Sequence, residues 1–228
     1  MDPYLVFTLS AGIASMGSNA GNEFRGTLSW PGRSAILGLV AAARGFDRLD
    51  AEGHEKVSKH NVGIGIHDIG ASFTDFHTIQ SVPRAAVKRP ATRGDALALA
   101  RAKGSLETTL SRRDYRTDVL YSVALWGGDI EAALVALQTP ASVLYLGRKS
   151  CPLNAPLAPR IVEAADPGAA LRSAVLPYWK NEPLQSIATD THPALQGRKI
   201  TRNDDPTCRN RWEFRNRTVT VLDVAQET

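Results

Sequence analysis

Apolar and polar positions follow a readable order over the first two thirds of the chain. Residues 4–9, Tyr-Leu-Val-Phe-Thr-Leu, make a short continuous apolar run, as a buried strand does. A glycine-rich stretch follows, with Gly12, Gly17, Gly21 and Gly26. Ile36, Leu37, Leu39, Val40 and Ala43 then share one face at helical spacing, which predicts a helix over 34–44. Pro31 ahead of it and Gly45 behind it are the expected punctuation. Val62, Ile64 and Ile66 alternate with Gly63, Gly65 and His67, predicting a half-buried strand. Residues 72–80 are expected to be its partner, with 68–71 as the turn. A strand over 118–126, a helix over 130–138 capped by Asp129, and a strand over 142–146 complete the pattern. The order is β-α-β-β, insertion, β-α-β. Its core resembles the split βαβ, ferredoxin-like arrangement used by many RNA-binding domains. No aromatic RNP-type strand accompanies it, so fold alone does not assign RNA.

Between 82 and 116 the periodicity fails. Nine cations (Arg84, Lys88, Arg89, Arg93, Arg101, Lys103, Arg112, Arg113, Arg116) meet only Asp95, Glu107 and Asp114. Pro83, Pro90, Gly94 and Gly104 argue for a loop or extended hairpin, and 96–102 for a short helix inside it. Such a segment is either a solvated loop or one that folds onto a polyanion. After Gly147, seven prolines from Pro152 to Pro193 break the chain into short pieces, with a helical turn or two over 166–174 and a final hairpin or strand over 212–222. A smaller β-rich lobe over 151–228 is expected, with a second basic cluster at Arg198, Lys199, Arg202, Arg209, Arg211, Arg215 and Arg217.

Length and charge add to this picture. The 228 residues suffice for a proper core in one domain or two small ones. The formal charge is +4, and of 27 basic residues 20 are arginine. Arginine forms bidentate phosphate contacts and stacks on bases, so the bias fits nucleic acid, although an arginine-rich genome gives the same bias. No apolar run is long enough to cross a membrane, and Met1-Asp2-Pro3 lacks a basic leader. Cys151 and Cys208 are far apart and fit reduced thiols in a cytoplasmic chain.

Chemistry-bearing patterns are sparse. The five histidines form no metal-ligand spacing and no nucleophile elbow is present, so no metal or cofactor is expected. The helix start at Arg33-Ser34 offers free amides and a dipole favourable to anions, or is an ordinary strand-to-helix connection. In Asp75-Phe76-His77-Thr78, His77 is either a general base for metal-independent RNA cleavage, assisted by Tyr115 or Lys103, or a hydrogen-bonded side chain.

Residues 145–153, Tyr-Leu-Gly-Arg-Lys-Ser-Cys-Pro-Leu, resemble the YLGR(R/K)SCPL signature of the fifth Cas protein family, represented by the CasD subunits of type I-E CRISPR Cascade complexes. The opening strand with its glycine loop, Pro31 to Leu39, Asp75 to Thr78, Arg113 to Arg116 and Ser122 to Leu125 agree in order. Met16 departs from the family, which usually carries tryptophan before the glycine.

The resemblance implies an α+β fold. A ferredoxin-like (RRM-like) palm would span 1–150, with a basic thumb hairpin inserted at about 82–111, and a small β-rich C-terminal lobe would span 151–228. It implies a non-catalytic RNA-binding subunit that caps the 5′ handle of the CRISPR RNA. The subunit would contact CasC backbone subunits and the CasA large subunit, and target DNA indirectly through the complex, in antiviral defence. The positions expected at RNA are Arg25, Arg33, Ser34, His77, Arg84, Lys88, Arg89, Arg112, Arg113, Tyr115, Arg148, Lys149 and Arg211. The alternative is the type I-C role, a metal-independent endoribonuclease that processes precursor CRISPR RNA.

Overall fold

The computed structural model describes residues 1–17, 21, 23–83, 85 and 87–224. In chain order the elements are β1 (Asp2–Ala14), β2 (Phe24–Arg25), α1 (Arg33–Ala43), α2 (Ala51–Ser58), β3 (Asn61–Asp68), β4 (Ala71–Ser81) and α3 (Arg93–Ala102). They continue with β5 (Glu107–Trp126), α4 (Ile130–Gln138), β6 (Arg160–Ala164), α5 (Pro167–Arg172), β7 (Ser186–Asp190), β8 (Arg198–Cys208) and β9 (Glu213–Asp223). The sheet runs β6-β1-β5-β3-β7-β9-β8, with every neighbouring pair antiparallel. The chain after Gly147 thus supplies β6 at one edge and β7, β9 and β8 at the other.

Strand alternation divides the core. Leu5, Phe7 and Leu9 of β1 face α1 and α4, whereas Tyr4 and Val6 face α5 through Ala170 and Leu171. A one-residue slip of β1 would exchange two buried faces, so its register against β5 (Leu5 opposite Leu125, Phe7 opposite Val123) is firmly specified. Helix ends follow the sequence. Asp129 accepts the Ala132 amide at 2.9 Å and Asp166 accepts the Ala169 amide at 2.9 Å, each opening a helix where one is predicted.

The region 71–117 differs from the expected pairing. β4 does not pair with β3. It runs along the first half of β5, with Ala71 opposite Thr117 and Ser81 opposite Glu107. The cause lies at Gly70, whose φ is +65° and whose missing Cβ leaves room for the Thr117 carbonyl. β3 is then flanked by the second half of β5 and by β7. The basic insertion expected over 82–111 is the tip of a longer hairpin, with α3 at its end. β5 serves both regions, and its 20 residues reach about 65 Å at ~3.3 Å per residue. At the junction Asp118 has φ +59° and the register shifts between Ile66 and Asp68. The buried Lys180 holds this joint, with Nζ 2.9 Å from the Asp118 carboxylate and 3.3 Å from its carbonyl.

The expected strand over 142–146 is also corrected. Only a single bridge, Tyr145 to Pro152, forms there, and the fourth strand of the βαββαβ order is β6. Leu146 is tied instead into a tight turn. Its N–H donates to the Cys151 carbonyl at 2.9 Å, and its own carbonyl accepts the Ser15 amide at 3.1 Å. Gly147, at φ +92°, passes so close to the Ser15 carbonyl that any side chain there would collide with it.

Candidate nucleic-acid interface

The start of α1 is the first candidate, and its arginine is committed inward. Arg33 is buried; its Nη1 lies 2.8 Å from Asp190 Oδ2, its Nε donates to Asp205 Oδ1 at 3.0 Å, and its Nη2 donates to the Ser58 carbonyl at 2.7 Å. The Arg33 amide, one of the free N–H groups that make a helix start attractive to anions, donates to Asp204 Oδ2 at 2.9 Å. Arg217 bridges Asp190 and Asp204 at 2.6 Å each, and Arg215 reaches Asp205 at 2.6 Å. Burial alone would push the Asp205 carboxyl up, but Arg215 and Arg33 outweigh it and hold it below the usual carboxylate range. The expected phosphate contact of Arg33 is therefore corrected: the chain's own carboxylates occupy that place, and Arg33 joins α1 to β7 and β8. Ser34 is half-buried beside it, and its carbonyl accepts from Arg209 Nη2 at 2.5 Å.

Next to this junction lies a cleft of about 970 Å³, walled by 15–17, 25–28, α1, the 143–148 turn and the β8–β9 hairpin. Arg25, Arg48, Arg148, Arg202 and Arg209 line it. The Leu146–Cys151 turn delivers Arg148 to its rim. There the guanidinium carbon sits 4.5 Å from the Tyr115 ring centroid and Nη2 donates to the Arg25 carbonyl at 3.2 Å. On the opposite wall the Arg202 guanidinium lies 5.0 Å from the Trp30 ring. Arg202 Nε is 3.5 Å from Asp204, a looser pairing than those of Arg217. Burial pushes the Arg202 and Arg209 guanidiniums down from their ordinary range. Arg148 Nη1 and Arg202 Nη2 are buried with no hydrogen-bond partner among the described residues. Unpartnered buried donors on charged groups are costly, so a pair of them in one cleft calls for an acceptor. Both guanidiniums are held by an aromatic ring and so are oriented in advance.

The remaining expected residues divide by location. Arg25, Arg112 and Arg113 sit together where β2 pairs with β5, Phe24 opposite Arg112 and Arg25 opposite Arg113. Tyr115 packs against Phe73 at 6.1 Å, and Lys149 is exposed beside Arg148. His77, on β4, lies 2.5 Å from the Asp75 carboxylate. Lys88 and Arg89 are exposed near the hairpin's far end, away from the cleft walls. Arg84 lies outside the described residues. Arg211 pairs with Glu213 at 3.1 Å on the exposed β8–β9 turn.

Sequence reading missed Arg48 and Trp30, and did not separate Arg202 and Arg209 from their cluster. Arg48 stacks on Trp212 at 4.4 Å and donates to the Arg209 carbonyl at 2.9 Å, tying the connector after α1 to the β8–β9 turn. The Trp30-Pro31 pair before the helix was the available signal. Among the described residues no group of three or more His, Cys, Asp or Glu side chains is placed to hold a metal ion, and no helix is long and apolar enough to cross a membrane.

Comparison with known proteins fits this arrangement. A family model described as "CRISPR-associated protein (Cas_Cas5)" matches residues 4–220. The chain is 30% identical over 187 residues to "CRISPR system Cascade subunit CasD" of Escherichia coli (strain K12), covering 75% of this chain and 76% of that one. A solved chain titled "CRISPR RNA-guided surveillance complex" superposes with a TM-score of 0.71 at 24% identity, over 97% of this chain and 90% of that chain. Another, "Crystal structure of Cas protein", gives 0.61 at 22% identity, over 98% and 96%. These two likenesses bear on the fold alone; the family match spans nearly the whole described chain, and the chain belongs to the Cas5 family of CRISPR-associated proteins.

Proposed function

We propose that this chain is a non-catalytic, RNA-binding subunit of a type I-E CRISPR Cascade complex, holding the 5′ handle of the CRISPR RNA in the arginine-lined cleft. The observation that carries the reading is the pair of aromatic-backed guanidiniums, Arg148 on Tyr115 and Arg202 on Trp30, each with one buried nitrogen that lacks an acceptor among the described residues. An RNA strand supplies phosphate oxygens and base edges for such donors. The relation to a Cascade subunit supports the assembly. Contacts with CasC-type backbone subunits and a CasA-type large subunit belong to the same reading, with target DNA reached through the complex.

The fold is read in the same terms. The order β6-β1-β5-β3, with α1 and α4 on one face, is that of a ferredoxin-like palm, and the β4–α3–β5 hairpin is its thumb. An RRM binds RNA on its open sheet face, but here α5 packs on that face through Ala170 and Leu171. That packing favours the cleft at the α1 start. The 151–228 lobe is then the part that closes the palm with β6 and walls the cleft with the β8–β9 hairpin.

The test is binding of the 5′-handle RNA by the protein co-expressed with its neighbouring Cascade subunits. Arg148→Ala with Arg202→Ala should release the handle without loss of fold. The same preparation should leave a repeat-containing precursor RNA intact, with or without divalent metal. Site-specific cleavage abolished by His77→Ala would instead mark the type I-C role.

A further inference from the structure

At the edge of the cleft, where the hairpin leaves the sheet, three strands align one residue each in a single row, and none of the three residues lines the cleft. Phe24 of β2 and Phe76 of β4 both lie directly opposite Arg112 of β5, one on each side. Residues directly opposite one another across a ladder project from the same face of the sheet. The Arg112 guanidinium accordingly sits 5.5 Å from the Phe24 ring centroid. The two phenylalanines are 46% and 61% exposed, and Leu110, one step further along the same face, is 50% exposed. Buried aromatic area is strongly favourable, so two phenylalanines left this open on a well-paired ladder ask for a ligand. Arg112 is exposed, and no carboxylate among the described residues pairs with its guanidinium; the nearby Asp114 accepts instead from the Thr74 hydroxyl at 2.8 Å.

An apolar strip alone would suit a protein partner. An unneutralised cation between two open aromatic rings suits unpaired nucleotides better. Bases stack on the rings, the guanidinium meets the phosphate between them, and every base has a face to stack. We propose that Phe24, Arg112 and Phe76 form a stacking platform for unpaired bases of a single nucleic-acid strand, distinct from the cleft. Two sources share this chemistry: the RNA that the chain is read to carry, or a DNA strand exposed in the assembled complex. The first deepens the function proposed above and rests on it.

The test uses the full chain and two probes of equal length, oligouridylate and oligothymidylate, in a salt titration. Phe24→Ala with Phe76→Ala should weaken binding about 30-fold or more, since each lost stack is worth roughly 5- to 150-fold. The slope of log affinity against log salt should stay unchanged, because stacking releases no counterions. Phe24→Tyr with Phe76→Tyr should restore affinity, and the melting temperature should not move, since both rings are exposed. Arg112→Ala should flatten the slope by about 0.7, one phosphate's share for a single strand. Loss for both probes identifies base stacking irrespective of sugar, and loss for one probe alone identifies the strand as RNA or DNA. Wild-type-like binding of both probes by the double alanine variant overturns the platform, whether or not that variant loses a protein subunit in co-purification. Absence of salt-dependent oligouridylate binding by the unmutated chain would instead overturn the RNA reading itself.

Discussion

Arg33 and Arg148 make an informative pair. Both follow a glycine, both lie within the residues that the family model matches, and each has guanidinium nitrogen withdrawn from water, all of the group in Arg33 and Nη1 in Arg148. Arg33 ends among Asp190, Asp205, the Ser58 carbonyl and, through its amide, Asp204; each of its three guanidinium nitrogens has a partner within the chain. Arg148 is backed by a ring and one carbonyl and keeps a buried nitrogen unanswered among the described residues. The first is an internal cross-link between α1 and the C-terminal strands. The second is a donor held ready for something else. Charge and position in the sequence do not separate these roles; the count of satisfied donors does.

The largest expected effect breaks the internal side of the pair. Arg33→Ala would leave Asp190 and Asp205 buried without one of their cations. Removing one partner of a buried ion pair costs about 3–5 kcal/mol, so chemical denaturation should show a drop of that order. RNA binding would fall only in proportion to the unfolded fraction. Arg148→Ala should do the reverse. It should cost about 1.5–3 kcal/mol of RNA affinity, the range for a hydrogen bond to a charged group, while the denaturation midpoint stays within error.

The pair also explains what the sequence made legible. The βαβ periodicities, the Asp129 cap and the basic insertion were all readable, because alternation and capping are local. The partner of β4 was not. A hairpin's register depends on where the chain turns, and Gly70 sends β4 along the outer half of β5 instead of back over β3. Arg33 looked like an anion ligand because a helix start with an arginine is one until a carboxylate fills it. That carboxylate, Asp204, lies 171 residues further along the chain. The aromatic backing of Arg148 and Arg202 is likewise non-local, so the cleft could be suspected from charge but not drawn.

Acid should sharpen the comparison next. Asp205 has a folded pKa below its unfolded value near 4, so its contribution is fully present above that value and is lost as pH falls through the folded one. His67, buried between the Ser122 hydroxyl and the Glu182 carbonyl, is pushed down by burial. The unfolded chain then takes up that proton first, so stability should begin to decline below about pH 6.5 and decline again below about pH 4. Urea titrations across this range should show both limbs in the unmutated chain. In Arg33→Ala the lower limb should become shallower and end at higher pH, because Asp205 has lost one of the cations that hold it down. In Arg148→Ala neither limb should move.

Salt gives the smallest effect. With phosphates at the cleft, log affinity for single-stranded RNA should fall linearly with log salt, and Arg148→Ala should flatten that slope by about 0.7. Arg33→Ala, measured on its folded fraction, should leave the slope alone.

The most direct measurement is photo-crosslinking of a 5′-handle RNA carrying thiouridine to the assembled complex, with the crosslinked residues mapped by mass spectrometry. Crosslinks at Tyr145, Trp212 and the Arg148 turn are predicted, because these line the cleft in which unanswered guanidiniums wait for an acceptor. Crosslinks confined to Tyr178 and Trp179, exposed aromatics that do not line the cleft, would contradict the account.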